Sequence, residues 1–385
     1  MMSIPIHTGV SLRGSVLYPC PRCGIMQRKQ GGTAVEKRAC VVAVSGIKNS
    51  GKTSLIEKLI PALTRRGLRV ASVKHDGHRF EPDRPGTDSF RHLAAGAVGA
   101  AVFDGEKFQL VRRAAVDEHF LIAQFPDAEL ILLEGFKDSL WPKIEIVRSA
   151  VSRAPVSHPS SRLALVTDCV LEAPGCPVYA MDDTEGLADY LLRFVRLGAG
   201  FSAILLAGGY SSRMGRSKAE LPFGGLRMID HQVRRLRSLG IRDILLAGYE
   251  GAVEGGRYVP DVVPHRGPLS GIHAGLCTAE EAACLVLSVD APLVPLSALF
   301  ALMQGHGEGI TILEHGGQSE PLIGVYDRAL APLCEEILRG ERSSVRRLFD
   351  LVGVRVLPCE ADAALLSNCN TPEEYETMLR LAGFR

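Results

Sequence analysis

The chain has 385 residues, of which 46% are hydrophobic, and its 44 Lys and Arg residues nearly balance its 43 Asp and Glu residues. This length suits two domains, and the near-zero net charge gives no indication of nucleic acid or a membrane as a partner. No apolar run approaches the roughly 18 residues that a membrane-spanning helix needs. The ten cysteines are scattered, which favours reduced thiols and a cytoplasmic location over a disulfide framework.

Residues 1–38 lack hydrophobic periodicity, and we expect them to form a mostly disordered extension. Within this extension, Cys20 and Cys23 have the spacing of half a zinc knuckle. A closed structural zinc site needs four ligands, and no second CxxC pair follows. A stray pair of cysteines is therefore favoured over a zinc site.

Residues 41–54 predict a phosphate-binding loop. An apolar strand at 41–45 leads into the pattern GxxxxGK[ST], and the apolar residues of 52–66 then recur with the period of a helix. In such a loop the backbone N–H groups and the helix N-terminus bind phosphate, the lysine contacts the outer phosphates, and the hydroxyl binds Mg2+. The predicted site is Gly46, Asn49, Ser50, Gly51, Lys52 and Thr53. The alternative is a chance glycine-rich turn, which the flanking strand and helix disfavour.

The alternation of short apolar strands with helices continues from 39 to about 197 and predicts an α/β domain with a mostly parallel sheet. We expect strands at 41–45, 69–73, 98–103, 107–111, 129–133, 143–147 and 163–166, and a closing helix at 184–196. The sequence Leu-Gly-Ala-Gly at 197–200 predicts a short flexible hinge. A second alternation begins with a strand at 202–206, so we expect two α/β domains, 39–197 and 198–385.

A second glycine-rich turn follows the strand at 202–206. Gly208 and Gly209 allow a tight backbone, and Arg213 and Lys218 add two cations, which together suit a triphosphate. Further along, an apolar strand at 284–289 ends in Asp290. A carboxylate at the C-terminal edge of a parallel strand lies where ligands bind in open α/β sheets, so we expect Asp290 to bind Mg2+. The alternative is that Asp290 caps the helix after Pro292.

Five segments in order, LAGGYSSRMGRSK, VPDVVPHRGPLSGIHAGL, LSVDAPLVP, EPLIGVY and NCNTPEEY, resemble the molybdenum cofactor guanylyltransferases. The resemblance covers residues 202–385. It implies a Rossmann-like nucleotidyltransferase that joins GMP from GTP to the terminal phosphate of molybdenum-bearing molybdopterin and releases pyrophosphate. It also implies the GTP contacts Leu206, Ala207, Gly208, Lys218 and Asp261, with Asp290 on Mg2+. From the resemblance together with the glycine-rich turn, we expect Gly209 to contact GTP as well, and Arg213, Lys218 and Asp290 to act in catalysis.

This resemblance has two departures. Ser217 replaces a usual aspartate, and Ala247 or Gly248 stands where some members have an asparagine that contacts the nucleotide. The double glycine after Leu-Ala resembles the guanylyl enzymes more than the cytidylyl enzymes. A cytidylyltransferase or another nucleotidyltransferase, such as one acting on a sugar phosphate, stays open as an alternative. A non-catalytic GTP-binding scaffold that delivers the cofactor is a second one.

Residues 40–197 resemble the molybdopterin-guanine dinucleotide biosynthesis adapter proteins, through GIKNSGKT, SVKHDGHRFEPDRPGTDSFRHLAAGA, ELILLEGFK and KIEIVR. The resemblance implies GTP binding with weak GTPase activity, Glu134 facing Mg2+, and Asp88 and Arg91 near the phosphates. It also implies molybdoenzymes or their chaperones as partners, while a homo-oligomer stays open. The polar residues Lys74, His75, Asp76 and His78 suit a loop over the nucleotide better than a metal site.

Overall fold

We analysed a computed structural model that describes residues 39–76, 83–172, 174–208, 217–263, 266–340 and 343–384. In residues 1–38 it describes only the backbone of three short antiparallel strands, β1 (Ser11–Leu12), β2 (Ser15–Pro19) and β3 (Met26–Arg28). Cys20 and Cys23 lie outside the described residues, and the disordered extension stays a prediction. Residues 39–385 form one compact unit of their own.

The first half of this unit, residues 39–197, is built on a parallel sheet, as the alternating pattern predicted. Its strands are β4 (Cys40–Gly46), β5 (Val70–Lys74), β8 (Leu130–Glu134), β9 (Lys143–Val147), β10 (Arg162–Thr167) and β11 (Val178–Ala180), and its helices are α1 (Lys52–Arg65), α2 (Asp88–Ala94), α3 (Glu118–Ile122) and α4 (Thr184–Leu197). The sheet order is β11-β10-β9-β4-β8-β5, and every neighbouring pair is parallel. The predicted strands near 98–103 and 107–111 form a separate antiparallel hairpin, β6 (Gly99–Phe103) and β7 (Phe108–Arg112).

Burial explains why these segments adopt these structures. The interior of β4, residues 41–45, is fully buried between helices, as expected for a central parallel strand. Helix α1 buries one face, formed by Leu55, Ile56, Leu59, Ala62 and Leu63, and leaves the opposite face to solvent. The parallel order brings the C-terminal ends of all six strands to one edge, where the loop before α1 also lies.

The second half, residues 198–385, is built on a mixed sheet of order β16-β15-β12-β17-β19-β18-β20. Its strands are β12 (Phe201–Leu206), β15 (Ile244–Ala247), β16 (Arg257–Val259), β17 (Ala283–Ser288), β18 (Ile310–His315), β19 (Gln318–Asp327) and β20 (Val354–Pro358), with the small hairpin β13 (Pro222–Phe223) and β14 (Leu226–Arg227). Its helices are α5 (Met228–Ser238), α6 (Pro268–Thr278), α7 (Leu296–Gly305), α8 (Ala331–Arg339), α9 (Val345–Leu351), α10 (Ala363–Leu366) and α11 (Pro372–Leu381). Strands β16, β15, β12 and β17 run parallel, and β19 runs antiparallel to both β17 and β18.

The junction between the halves differs from the flexible hinge that the sequence predicted. Residues Gly198–Gly200 form a 3-10 turn in which Gly198 is buried. A Cβ atom added at Gly198 would lie only 1.9 Å from the backbone oxygen of Leu239, because the two backbones are in direct contact. Gly198 therefore allows close packing between the two halves, while Gly200, at the end of the turn, is exposed.

The two halves share an aromatic core. The rings of Tyr190 and Phe194 on α4 pack edge-on against Phe300 on α7, with centroid distances of 5.3 and 5.2 Å. The Ser297 hydroxyl of α7 also donates to the backbone oxygen of Gly175 at 3.4 Å. These contacts join the halves side by side. Among the described residues, no helix has the length and apolar character needed to cross a membrane.

Candidate functional site

The loop between β4 and α1 has the backbone geometry of a phosphate cradle. Gly46, Asn49 and Gly51 have φ values of 140°, 67° and 102°, which are costly for most side chains. A Cβ atom at Gly46 would lie 2.6 Å from the backbone oxygen of Ile146 and 2.7 Å from Ser50 Oγ. Glycine is thus required at position 46 for the loop to turn tightly against β9.

Lys52, at the first position of α1, folds back over this loop. Its Nζ donates to the backbone oxygens of Gly46 at 3.1 Å and Ile47 at 2.8 Å. Burial lowers the pKa of Lys52, and the nearby Glu134 carboxylate opposes that shift. The two hydrogen bonds hold the ammonium group at the mouth of the loop, where an incoming anion would meet it.

Thr53 and Glu134 lie together at the same edge of the sheet. The Thr53 hydroxyl donates to Glu134 Oε1 at 2.7 Å, and Lys74 Nζ lies 3.3 Å from the same oxygen. A hydroxyl and a carboxylate side by side are the hard oxygen ligands that Mg2+ prefers, so these residues fit that ion. Lys74 comes from the end of β5 and adds a second cation beside Lys52.

The rest of the polar segment after β5 is described only in part. The His75 ring packs against Phe136, with a centroid distance of 5.6 Å, while His78 lies outside the described residues. Within the described part of the chain no three His, Cys, Asp or Glu side chains are arranged to hold a metal ion. Asp88 and Arg91 form an exposed ion pair with each other, 3.5 Å apart, on the short helix α2.

The second candidate site lies at the C-terminal edge of the mixed sheet, where β12 ends in Leu206. Ala207 N–H donates to the backbone oxygen of Ala247 at 2.9 Å, and Gly208 follows. A Cβ atom added to Gly248, whose φ is 78°, would lie 2.5 Å from Gly208 Cα. This close contact explains the departure at 247–248, since position 248 has no room for a larger residue. Gly209 and Arg213 lie outside the described residues.

Asp261 lies on the β16 side of this edge. A Cβ atom at Gly271, on α6, would meet Leu206 Cδ2 at 2.9 Å, Ala247 Cβ at 3.1 Å and Asp261 Oδ1 at 3.9 Å. Gly271 therefore allows α6 to pack closely on the sheet. These distances also place Leu206 and Asp261 close to each other around Gly271. The sequence predicted that both residues contact one nucleotide.

Asp290, Lys218 and Asn370 form a polar cluster near the end of β12, where Val289 N–H donates to the backbone oxygen of Leu206 at 2.9 Å. Lys218 Nζ donates to Asp290 Oδ2 at 2.6 Å and to Asn370 Oδ1 at 2.8 Å, and the Ser288 hydroxyl donates to Asp290 Oδ1 at 2.5 Å. The Lys218 and Asp290 side chains are only 16% and 9% exposed. The carboxylate is thus fixed by two donors, and it fits Mg2+, which typically uses one or two protein carboxylates together with substrate phosphates.

Asp290 is not a helix cap. Helix α7 begins at Leu296, and its N-cap is Pro295. The Asp290 backbone oxygen instead accepts from Cys369 N at 3.0 Å, which attaches it to the segment before α11. The capping alternative is therefore wrong, and the carboxylate lies at the end of the sheet with Lys218 and Ser288 as its donors.

Two family models match the chain. One is described as Molybdopterin guanine dinucleotide synthesis protein B and matches residues 41–168, and the other as MobA-like NTP transferase domain and matches residues 203–356. A probable molybdenum cofactor guanylyltransferase of Pelotomaculum thermopropionicum is 36% identical over 182 residues, or 45% of this chain and 89% of that protein. The molybdopterin-guanine dinucleotide biosynthesis adapter protein of Escherichia coli is 31% identical over 164 residues, or 40% of this chain and 93% of that protein. The chain belongs to both families.

The first half is accordingly called the adapter half and the second the transferase half. A crystal structure of Bacillus subtilis MobB is 31% identical to this chain and covers 40% of it and 95% of its own length, with a TM-score of 0.34. The predicted fold class is confirmed, because the adapter half has a parallel sheet with a P-loop and the transferase half an α/β sheet.

Three residues of the transferase half that bear on its site were not predicted from the sequence. Asn370 holds Lys218, and it is itself positioned by the capping box of Thr371 and Glu374 at the start of α11. Gln232 on α5 donates to the backbone oxygens of Ser288 and Ala291, both at 3.1 Å. The segment NCNTPEEY was noticed as a motif, so Asn370 could have been found there.

Arg235 is the third such residue. Its guanidinium group is buried, and it donates to the backbone oxygens of Pro292 at 2.6 Å and Val294, and to Ser160 of the adapter half at 3.4 Å. Burial lowers the pKa of Arg235 to about 9. Through its hydrogen bonds to Pro292 and Val294, Arg235 holds the loop that follows Asp290. In the sequence it lies in a basic helix that resembles a solvated surface.

Proposed function

We propose that the transferase half transfers GMP from GTP to the terminal phosphate of molybdenum-bearing molybdopterin, and that the adapter half binds a second GTP. The observation that supports this most is the Lys218–Asp290–Asn370 cluster beside Leu206–Gly208 at the C-terminal edge of the sheet, in a chain of the guanylyltransferase family. A fixed cation and carboxylate near the close backbone contact of Gly208 with Gly248 are suited to a triphosphate.

In the proposed reaction a terminal phosphate oxygen of the pterin attacks the α-phosphorus of GTP. A new P–O bond forms, the bond between the α-phosphorus and the bridging oxygen breaks, and pyrophosphate leaves with the electron pair. The nucleophile is already an anion, so the chain needs no strong general base. Mg2+ held by Asp290 would neutralise charge on the triphosphate.

Lys218 contributes positive charge in this scheme. Asp290 and Asn370 fix its ammonium group before substrate arrives, so little reorganisation is needed when charge develops on the leaving pyrophosphate. Gln232 and Arg235 keep the backbone around Asp290 in place. We also propose that Gly209 and Arg213 contribute to the phosphate contacts, as the sequence predicted.

In the adapter half, we propose that GTP occupies the loop at 46–53, with Thr53 and Glu134 as the residues that would hold Mg2+. Slow hydrolysis is expected, and the task of this half would be to deliver or channel cofactor, with molybdoenzymes or their chaperones as recipients. Covalent fusion raises the local concentration of one half at the other. The eight described cysteines are free thiols, which supports a reducing, cytoplasmic setting.

The test uses the full-length protein with molybdopterin, molybdate, Mg2+ and either GTP or CTP, followed by mass analysis of the products. We expect the guanine dinucleotide and stoichiometric pyrophosphate with GTP, and little product with CTP. A cytosine dinucleotide as the main product would replace the proposal with cytidylyl transfer. Tight GTP binding without any pyrophosphate release would leave only the scaffold function.

A further inference from the structure

The turn after β10 presents a carboxylate at the edge of the sheet that carries the P-loop. The Thr167 hydroxyl accepts from Cys169 N–H at 3.1 Å, which fixes the turn, and Asp168 between them is exposed. Strand β10 is separated from β4 by β9 alone, and all three strands are parallel. Asp168 therefore lies on the P-loop edge, two strand spacings or roughly 10 Å to one side of β4.

The Asp168 side chain is fixed in direction as well as in place. Ser149 N–H donates to Asp168 Oδ1 at 2.6 Å, and Ser149 follows β9, the strand next to the P-loop strand. The carboxylate is thus tied to the end of β9, the strand that lies between β10 and β4. On the same side, Met181 after β11 reaches to 3.8 Å from where a Cβ of Gly51 would lie. The segments after β9, β10 and β11 together border one flank of the P-loop.

We infer that Asp168 recognises the guanine base of a nucleotide whose phosphates occupy the P-loop. This inference rests on the proposed GTP binding by the adapter half. Guanine presents two adjacent donors, N1–H and the 2-amino group, and a carboxylate can accept from both. Adenine has an acceptor at N1 and no 2-amino group, so it would leave Asp168 without these bonds. Asp168 would therefore set the specificity of the adapter half for guanine.

The local chemistry suits this role. The hydrogen bond from Ser149 N–H lowers the pKa of Asp168, so the carboxylate is ionised at neutral pH. Each carboxylate oxygen has two lone pairs, and Oδ1 can keep its bond to Ser149 while accepting from the base. The distance of two strand spacings is one that a nucleotide bridges between its phosphates and its base. Val170, two residues further on, is an exposed apolar side chain of the same turn.

The test reverses the direction of one hydrogen bond between residue 168 and the base. Asp168→Asn turns one acceptor into a donor, which pairs with the 2-carbonyl of xanthine. We expect the variant to bind xanthosine triphosphate with Mg2+ at least tenfold more tightly than the original chain does, and to lose roughly 10- to 100-fold in GTP affinity at the P-loop, because a hydrogen bond to a charged group is lost. Titration calorimetry on the full-length protein measures both affinities.

Because the transferase half is also expected to bind GTP, the site is identified with a second substitution. The xanthosine triphosphate affinity gained in Asp168→Asn should disappear in Asp168→Asn/Lys52→Ala. The control is Asp182→Asn, an exposed aspartate after β11 at the same sheet edge, which should change neither affinity.

A folded Asp168→Asn variant with unchanged GTP affinity and no gain for xanthosine triphosphate would overturn the role of Asp168 while leaving GTP binding intact. If Lys52→Ala removes no GTP binding from the original chain, the proposed GTP site of the adapter half fails, and the role of Asp168 fails with it.

Discussion

Replacing Asp290 by asparagine should separate its charge from its shape. The amide keeps an oxygen that can accept from the Ser288 hydroxyl, which now lies 2.5 Å from Asp290 Oδ1. It loses the negative charge that pairs with Lys218 at 2.6 Å and that would hold Mg2+. We therefore expect Asp290→Asn to fold with its loop in place and to fail mainly in catalysis.

The expected magnitude follows from what the charge does. Charge on the leaving pyrophosphate builds up in the transition state, so the turnover number should fall on the order of a hundredfold or more, about 2.7 kcal/mol of lost stabilisation. GTP affinity should fall much less, since Lys218 remains. The free energy of unfolding should fall by roughly 1.5–3 kcal/mol, the contribution of one charged hydrogen bond. The loss is limited to this range because Lys218 retains Asn370 as a partner.

The assay measures pyrophosphate release against GTP and Mg2+ concentration, with thermal unfolding alongside. Asp243→Asn is the matched control, because this buried aspartate accepts from Ser202 Oγ at 2.6 Å, Arg257 Nε at 2.8 Å and Glu280 N at 2.9 Å, just before β15 begins at the opposite edge of the sheet. It should lose stability and keep its turnover number. An Asp290→Asn protein with a near-normal turnover number and unchanged Mg2+ dependence would refute the assignment of the metal to Asp290.

Three further predictions concern other parts of the unit. Lys52→Ala should abolish GTP binding by the adapter half, because the ammonium group at the loop is lost, yet leave guanylyl transfer nearly unchanged at saturating molybdopterin; loss of transfer under that condition would show that the two sites are not independent. Arg235→Met should lower the free energy of unfolding by roughly 2–5 kcal/mol, because it leaves buried carbonyl oxygens without donors. It should also lower the turnover number by loosening the loop after Asp290, and Arg235→Lys should recover part of the loss. An unchanged turnover number in a folded Arg235→Met protein would contradict this. Burial lowers the pKa of His231 to about 3, so below about pH 6.5 the unfolded chain takes up a proton that the native chain excludes. The free energy of unfolding should therefore fall as the pH drops from about 6.5 towards 3, by about 2 kcal/mol at pH 5. Denaturant titrations of His231→Gln should show a smaller loss over that range.

The secondary structure that comes from contiguous sequence around the candidate sites was predicted well. The loop at 46–53 carries both its glycines and its ligands within eight residues, so the pattern alone indicates strand, turn and helix. The buried strand before Asp290 likewise indicated where its carboxylate would lie. Such predictions depend only on local backbone chemistry and on the rule that parallel strands end at one edge.

The parts that depend on distant segments were not predicted. Asn370 reaches Lys218 across 152 residues of sequence, and Lys74 reaches Glu134 through strand pairing. Arg235 is buried although it stands in a helix with three other charged residues, because the backbone oxygens of another loop replace its water. Residues 198–200 have the composition of a hinge, and only the packing of Leu239 against Gly198 shows that this glycine serves close contact.

The aromatic contacts of Tyr190 and Phe194 with Phe300 have a consequence for how the chain comes apart. Phe300 is 1% exposed and Phe194 is fully buried, so cutting the chain between the halves would expose large apolar side chains on both fragments. Heating should therefore melt residues 39–385 in a single calorimetric transition, with an enthalpy that belongs to both sheets together. Separately expressed halves would tend to aggregate through the uncovered faces of α4 and α7, because each half buries part of the other's apolar surface.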